Sequence, residues 1–120
     1  MNVFVKPFAA LRPDAEHAAA VVAPPYDVVS ADEARELVVG RPNSFLHISR
    51  PEIEFTPGTD PYSNEVCERA GKNLKRLKTL GLLVRDTAPA YYIYELKMGE
   101  HEQTGVALTV SVDAYQINRV

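Results

Sequence analysis

The sequence contains one cysteine, Cys67, and no tryptophan in 120 residues. A single cysteine excludes a disulfide within the chain and fits a reducing compartment. No apolar run approaches the roughly 20 residues that a membrane-spanning helix needs. Residues 1–6 also lack the basic start and long apolar stretch of a secretion signal. We therefore predict a cytoplasmic protein that does not bind membranes.

Signatures of several enzyme classes are also missing. The sequence has no glycine-rich phosphate loop ending in Lys-Ser or Lys-Thr, no G-x-G-x-x-G, no G-x-S-x-G and no H-E-x-x-H. The three histidines are far apart in the sequence, so we predict no metal site. The net charge of −3 gives no overall attraction to nucleic acid. No cofactor can be named from these residues.

Two short segments have helical start signals. Residues 14–22 are rich in alanine and begin with Asp14, which favours a short helix with Asp14 as its N-cap. Ser30 and Glu33 have the spacing of a capping box, so a second helix is predicted after Ser30, with Gly40 as its left-handed terminator.

A longer helix is predicted between Asp60 and Gly81. Asp60 followed by proline is typical of a helix start. The predicted core stripe of this helix repeats at helical spacing. It consists of Cys67, Ala70, Leu74 and Leu77.

Other segments have strand patterns. The run at residues 45–48 is apolar on both faces, which favours a buried strand. Residues 90–97 and 103–112 alternate and predict a hairpin with a loop at 98–102. The second strand of this hairpin would present Val106, Leu108, Val110 and Val112 to the core. We predict a single α+β domain over residues 1–120, with a small, mainly antiparallel sheet covered by the long helix and one or two short ones.

The residues after Pro24 and Pro25 are predicted to form one wall of a ligand site. The two prolines stiffen the backbone and present Tyr26 and Asp27 on an extended segment. This turn is expected to be ordered and packed against the sheet. Asp27 could orient Arg12 or bind a substrate amine, or it could hold its own loop through backbone amides. Both readings stay open.

A second group of polar residues surrounds the predicted strand at 45–48. Its members are Asn43, Ser44, His47 and Arg50. Alternation would place His47 and Arg50 on opposite faces, so the two meet only if the strand ends or twists by Arg50. His47 could equally be a hydrogen-bonded core residue. Gly105 belongs to a row of small residues that lets a helix or a ligand approach closely.

Five separated motifs together resemble an uncharacterised prokaryotic family, domain of unknown function 1015. They are PFAALRP at 7–13, APPYDVVS at 23–30, NSFLH with RPE at 43–47 and 50–52, PAYY at 89–92, and QTG at 103–105. The resemblance covers nearly the whole chain. It implies the amino-terminal part of a longer bacterial protein, whose basic and histidine-glutamate motif would follow Val120. It also allows a phosphoryl-transfer role in small-metabolite or amino-acid metabolism.

Three functions are compatible with these patterns. The first is one wall of a site for a small anionic or amino-acid-like molecule, with Arg12, His47, Arg50 and the helix amides after Ser30 as candidate phosphate ligands. The second is the ParB-like nucleic-acid-binding role often attached to this family, using the basic residues at 69–78. These cations also suit the carboxyl end of a solvated helix. The third is a structural or oligomerising domain, with a homodimer formed through a strand edge or the face of Tyr91, Ile93, Gly105 and Ala107.

Overall fold

The computed structural model describes residues 4–117, which form a mixed α+β fold. The chain divides into two compact units. One unit comprises the chain up to Leu11 and from Arg85 onward, and the other is Arg12–Val84. The predicted sheet is present as three separate two-stranded pairs. The α+β fold class and the hairpin in the carboxyl-terminal half are therefore confirmed, while the strands do not join into one sheet in the described chain.

The unit Arg12–Val84 is mainly helical. Its buried cluster centres on Leu46, Ala34 and Ile53. The long helix packs on a short helix and on a 3-10 turn that precede it, and it buries Val66 and Leu77. The helices of this unit are α1 (Ala18–Val21), α2 (Ala31–Leu37), α3 (Leu46–Ser49) and α4 (Asn64–Thr79), with the 3-10 turn at Pro51–Glu54.

Helix α2 has the N-cap that the sequence predicts, but its C-cap is Val38. The Ser30 side chain accepts a hydrogen bond from the amide of Glu33 at 3.1 Å. Gly40 has a φ of 72°, in the left-handed region that favours glycine. The predicted N-cap is therefore present, whereas the helix ends at Leu37 with Val38 as its C-cap, and Gly40 lies in the turn that follows.

Replacing Ser30 by alanine should lower the free energy of unfolding by about 1 kcal/mol, because the amide of Glu33 loses its side-chain acceptor. Ser49 provides a matched control, since its hydroxyl donates only to the carbonyl of Phe45 in its own short helix. Ser49→Ala should change stability by less than about 0.5 kcal/mol. Urea unfolding followed by circular dichroism measures both, and equal effects would contradict the capping role.

The first helix begins later than predicted. Asp14 is not its N-cap, since α1 begins at Ala18. The Asp14 carboxylate instead accepts from the backbone amide of His17 at 3.0 Å and contacts the His17 ring at 2.7 Å. These interactions hold a turn that precedes α1, and the amide hydrogen bond is the main cause that lowers the pKa of Asp14.

The lowered pKa of Asp14 gives a pH prediction with a definite sign. The carboxylate stabilises the fold fully above its ordinary pKa, and this contribution is lost as the pH falls through the lower folded-state value. Asp14→Asn should therefore reduce the dependence of stability on pH in the acidic range. Urea unfolding of both proteins at several acidic pH values gives the free energy of unfolding as a function of pH. If this function has the same slope in Asp14→Asn as in the natural chain, Asp14 does not contribute.

The predicted strand at residues 45–48 is wrong, because this segment is helix α3. The hydroxyl of Ser44 accepts from the amide of Leu46 at 3.3 Å and supports the first turn. Only Leu46 within this helix is fully buried. A four-residue apolar run is too short for its period to distinguish a strand from a helix.

The long helix is also shifted relative to the prediction. Its N-cap is Ser63, whose hydroxyl accepts from the amide of Val66, whereas Asp60 caps the preceding turn through the amide of Tyr62. Cys67 is exposed, so its assignment to the core stripe is wrong. The fully buried positions of the helix are Val66 and Leu77. The buried stripe therefore begins at Val66, one residue before the predicted Cys67.

The other unit is built from short strands and one helix. Its strands include β1 (Val5–Lys6), β4 (Tyr92–Met98), β5 (His101–Ala107) and β6 (Thr109–Val110), followed by α5 (Val112–Gln116). Strand β1 pairs with β6, and β4 pairs with β5, in both cases antiparallel. The remaining strands, β2 (Leu11–Arg12) and β3 (Val84–Arg85), pair with each other.

Two details of the hairpin differ from the prediction. The loop predicted at 98–102 is a two-residue turn, with Met98 opposite His101. The second strand ends at Ala107 rather than continuing to residue 112. Val106, Val110 and Val112 are consequently exposed and do not form a core face.

Candidate functional site

A cleft of about 370 Å³ lies in the unit Arg12–Val84 and brings together three of the predicted site residues. Tyr26 and Asp27 come from the turn after the two prolines, and Arg50 comes from the end of α3. We call this cavity the Tyr26–Tyr62 cleft. Its lining residues are Tyr26, Asp27, Ser49, Arg50, Pro51, Glu52, Pro61 and Tyr62.

Arg50 connects the two sides of this cleft. Its Nη1 donates to the backbone carbonyls of Tyr26 at 2.8 Å and Val29 at 2.6 Å. Its Nε donates to the buried carboxylate of Glu52 at 2.5 Å. Nη2 makes no hydrogen bond within residues 4–117. One guanidinium therefore fixes the turn that presents Tyr26 and Asp27, neutralises Glu52, and still has a donor available.

The turn after the prolines is held by hydrogen bonds within the unit Arg12–Val84. The amide of Val28 donates to the carbonyl of Pro25, which closes the turn. Its anchor is the Arg50 side chain. Tyr26 is exposed over 62% of its surface, so its hydroxyl does not require a protein partner.

The open part of the cleft has a distinctive composition. Tyr62 is 86% exposed and Tyr26 is also open, so two aromatic rings are available to a ligand. Asp27 is exposed and makes no hydrogen bond or ion pair within the described residues 4–117. The cleft therefore offers one unpaired carboxylate and two tyrosines, beside a guanidinium that is already partly engaged.

His47 lies outside the lining of this cleft. Its Nδ1 is 3.4 Å from Oε2 of Glu54, and its backbone carbonyl accepts from Asn73 at 2.8 Å. Its Nε2 is buried and has no hydrogen-bond partner in the part of the chain that the structure describes. Asn73 also donates to Glu54 at 2.5 Å. His47 thus belongs to a polar cluster that connects α3 and α4.

The remaining candidate residues are dispersed. Asn43 accepts from Nη2 of Arg76 at 2.9 Å. Ser44 is buried and lines a second, mainly apolar cavity of about 270 Å³ together with Pro24 and Leu46. Arg12 is exposed in β2 and does not line the Tyr26–Tyr62 cleft. The structure therefore unites Tyr26, Asp27 and Arg50 but not the other candidates.

Gly105 has a packing explanation. It lies opposite Tyr94 in the hairpin, and a Cβ at Gly105 would overlap the Tyr94 ring. The glycine thus makes room for an aromatic side chain on the neighbouring strand. The group that lies close to Gly105 is therefore the Tyr94 ring of the same chain.

The basic residues of α4 are partly engaged within the protein. Arg69 lies 3.7 Å from Glu54 and over the Phe55 ring, and Arg76 donates to Asn43. The chain after α4 enters a strand rather than the second helix of a helix-turn-helix. Within residues 4–117 no helix is long and apolar enough to cross a bilayer, and no group of three His, Cys, Asp or Glu side chains is placed to hold a metal ion.

Tyr62 was not identified from the sequence, although a signal for it exists. Pro61-Tyr62 repeats the Pro-Tyr pair of Pro25-Tyr26, and in both places a proline stiffens the backbone before an exposed tyrosine. Residues 60–63 also have a helix-start signal, so Tyr62 was assigned to a helix and not compared with Tyr26. Glu52 and Ser49 also line the cleft, but only the fold brings them to Asp27.

Comparison with known proteins gives one match. A family model described as a protein of unknown function (DUF1015) matches residues 5–120, which confirms the resemblance seen in the motifs. No curated protein and no solved structure matches the chain.

Proposed function

We propose that this chain, which belongs to the DUF1015 family of proteins of unknown function, supplies one wall of a small-molecule site in a larger cytoplasmic bacterial enzyme. The proposed wall is the Tyr26–Tyr62 cleft. The main support is that Arg50 joins the Pro-Pro-Tyr-Asp turn to the carboxyl end of α3. Rigid presentation of polar groups beside aromatic rings is characteristic of small-molecule sites.

The ligand class follows from the groups that are free to bind. Asp27 has no partner within residues 4–117 and can accept hydrogen bonds from a primary amine. The exposed rings of Tyr26 and Tyr62 favour a neighbouring cation. The free Nη2 of Arg50 can donate to a carboxylate. An amine and a carboxylate on one small molecule describe an amino-acid-like ligand.

A phosphate is less well matched to this wall. Two acidic residues, Asp27 and Glu52, line the cleft with one arginine, and that guanidinium already binds Glu52. Helix α2 has only seven residues, and Ser30 occupies one of its first amides. If the complete enzyme transfers a phosphoryl group, we expect other parts of the protein to bind it.

The amine contact can be tested with Asp27→Asn in the full chain. Removing the charge should weaken binding of an amino-acid panel by at least about tenfold, since a charge-assisted hydrogen bond contributes about 1.5–3 kcal/mol. Asp113→Asn is the matched control, because Asp113 is an exposed carboxylate on α5 in the other unit. Calorimetric titration gives the dissociation constant of each variant for each amino acid.

The same titration is extended to phosphorylated metabolites and to duplex DNA, and three outcomes are informative. Amino-acid binding that is weakened only by Asp27→Asn supports the proposal. Binding of phosphorylated metabolites but not amino acids would overturn the ligand class. Site-specific binding of duplex DNA that is lost on replacing Lys72 and Lys75 would instead favour the nucleic-acid alternative.

A further inference from the structure

Strand β4 has an open edge. It pairs with β5 on one side and with no strand on the other within residues 4–117. Every residue of β4 except Tyr92 is exposed, including Leu96 at 59% and Met98 at 83%. An isolated two-stranded hairpin is marginally stable in water, and an uncovered edge is a template for another strand. These properties make the edge of β4 a candidate interaction surface.

The hairpin turn fixes which backbone groups lie on this edge. Gly99 has a φ of 61°, as two-residue hairpin turns of the primed types require at their first position. In such a hairpin the pair that flanks the turn, here Met98 and His101, exchanges hydrogen bonds, and every second residue of β4 then bonds to β5. The outward-pointing backbone groups are those of Ile93, Glu95 and Lys97.

We propose that a second copy of this chain pairs with this edge, β4 antiparallel to β4, with the two-fold axis at Leu96. In this register Glu95 lies opposite Lys97 of the partner subunit, and the same contact occurs a second time by symmetry. Both residues present outward backbone groups, so each of these pairs can also exchange backbone hydrogen bonds. The result is a two-fold symmetric dimer whose two hairpins form one four-stranded antiparallel sheet.

The apolar residues fit the same register. Leu96 meets Leu96 of the partner subunit at a position where opposing side chains approach most closely. Tyr94 meets Met98 of the partner subunit on the same face. The shared face would therefore join two exposed apolar rows into one, and a sheet of more than two strands with an apolar face is stable where a hairpin alone is marginal.

The charges also select against other arrangements. Parallel, in-register stacking of β4 would place Glu95 opposite Glu95 and Lys97 opposite Lys97, which is unfavourable. Self-pairing of β5 lacks opposite charges, because its outward residues Glu102, Thr104 and Val106 include one acid and no base. Opposite charges placed symmetrically about Leu96 thus favour a closed dimer over an open fibril.

Charge exchange provides the test. Glu95→Lys places two lysine side chains opposite each other at both symmetric contacts of the homodimer. Lys97→Glu combined with Glu102→Lys places two acids opposite each other, while it preserves the opposite charges of the 2.9 Å pair between 97 and 102 within the chain. Each variant alone should dimerise about tenfold more weakly than the natural chain, since two favourable cross-strand pairs become repulsive. An equimolar mixture of the two should restore dimers, because every pair is again of opposite charge.

Sedimentation equilibrium of the full chain measures the dissociation constants, and circular dichroism checks the fold of each variant. Glu36→Lys is the matched control, since it makes the same change of charge as Glu95→Lys at an exposed position of α2, outside the hairpin, and should leave the dimer unchanged. The interface is small, so we expect a weak dimer with a dissociation constant below about 1 mM. A natural chain that stays monomeric at about 1 mM would overturn the proposal. So would a dimer that Glu95→Lys leaves intact, or a mixture that fails to form mixed dimers.

Discussion

Replacing Arg50 by methionine is expected to lower the free energy of unfolding by about 3 kcal/mol, because this change leaves the buried carboxylate of Glu52 without its cation. The carbonyls of Tyr26 and Val29 lose their donor at the same time. Arg50→Lys should recover little of the loss, since one ammonium cannot reproduce the fork that reaches a carboxylate and two carbonyls. Chemical unfolding gives the free energy of unfolding of the natural chain, Arg50→Met and Arg50→Lys.

Two variants separate this explanation from a general effect of losing an arginine. Arg41 donates to the carbonyl of Ala19 at an exposed position, so Arg41→Met should cost less than about 1 kcal/mol. Arg50→Met combined with Glu52→Leu should be more stable than Arg50→Met alone, because no buried charge is then unpaired. A double variant as unstable as the single one would show that Glu52 is not the main partner.

Leu46→Ala should also destabilise the protein strongly, by about 3 kcal/mol, because Leu46 is 1% exposed at the centre of the buried cluster with Ala34 and Ile53. The lost contacts and the cavity both contribute, whereas helix propensity does not, since alanine favours a helix at least as well as leucine. Thermal and urea unfolding give the change in stability.

Leu80 is the control for this substitution. It is 57% exposed at the end of α4, so Leu80→Ala should cost at most about 0.5 kcal/mol. Similar losses for Leu46→Ala and Leu80→Ala would contradict the position of the core. The comparison also tests the helical assignment of α3, which places Leu46 inward and leaves Phe45 partly exposed.

Local signals in the sequence predicted the parts of the fold that depend on local chemistry. Ser30 and Glu33 identify the start of α2 because a capping box involves only neighbouring residues. Gly40 marks the left-handed turn after the helix, although the helix itself ends earlier, with Val38 as its C-cap. The alternation at 90–97 located the first strand of the hairpin, although the turn proved shorter than predicted.

The errors arose where a short pattern has two solutions. Residues 45–48 are apolar enough for a buried strand or a helix, and the tertiary contacts of Leu46 decide between them. At α4, both Asp60 and Ser63 can serve as N-caps, and the later start changed which face is buried. Cys67 therefore lies on the exposed side.

The candidate site was partly visible in the sequence. Tyr26 and Asp27 could be identified because the preceding prolines restrict the backbone locally. The link to Arg50 could not, since its contact with Tyr26 spans 24 residues and depends on the path of α3. Tyr62 joins them only through the fold.

The most direct measurement of the central claim is a nuclear magnetic resonance titration of the full chain with an amino-acid panel, because chemical shifts detect weak ligands and locate them. If the Tyr26–Tyr62 cleft is the wall of an amino-acid-like site, the amide signals of Tyr26, Asp27, Arg50 and Tyr62 should shift with a common dissociation constant, while those of β4 and β5 stay unchanged. Shifts confined to the hairpin, or no shifts with any member of the panel, would contradict the assignment of this cleft.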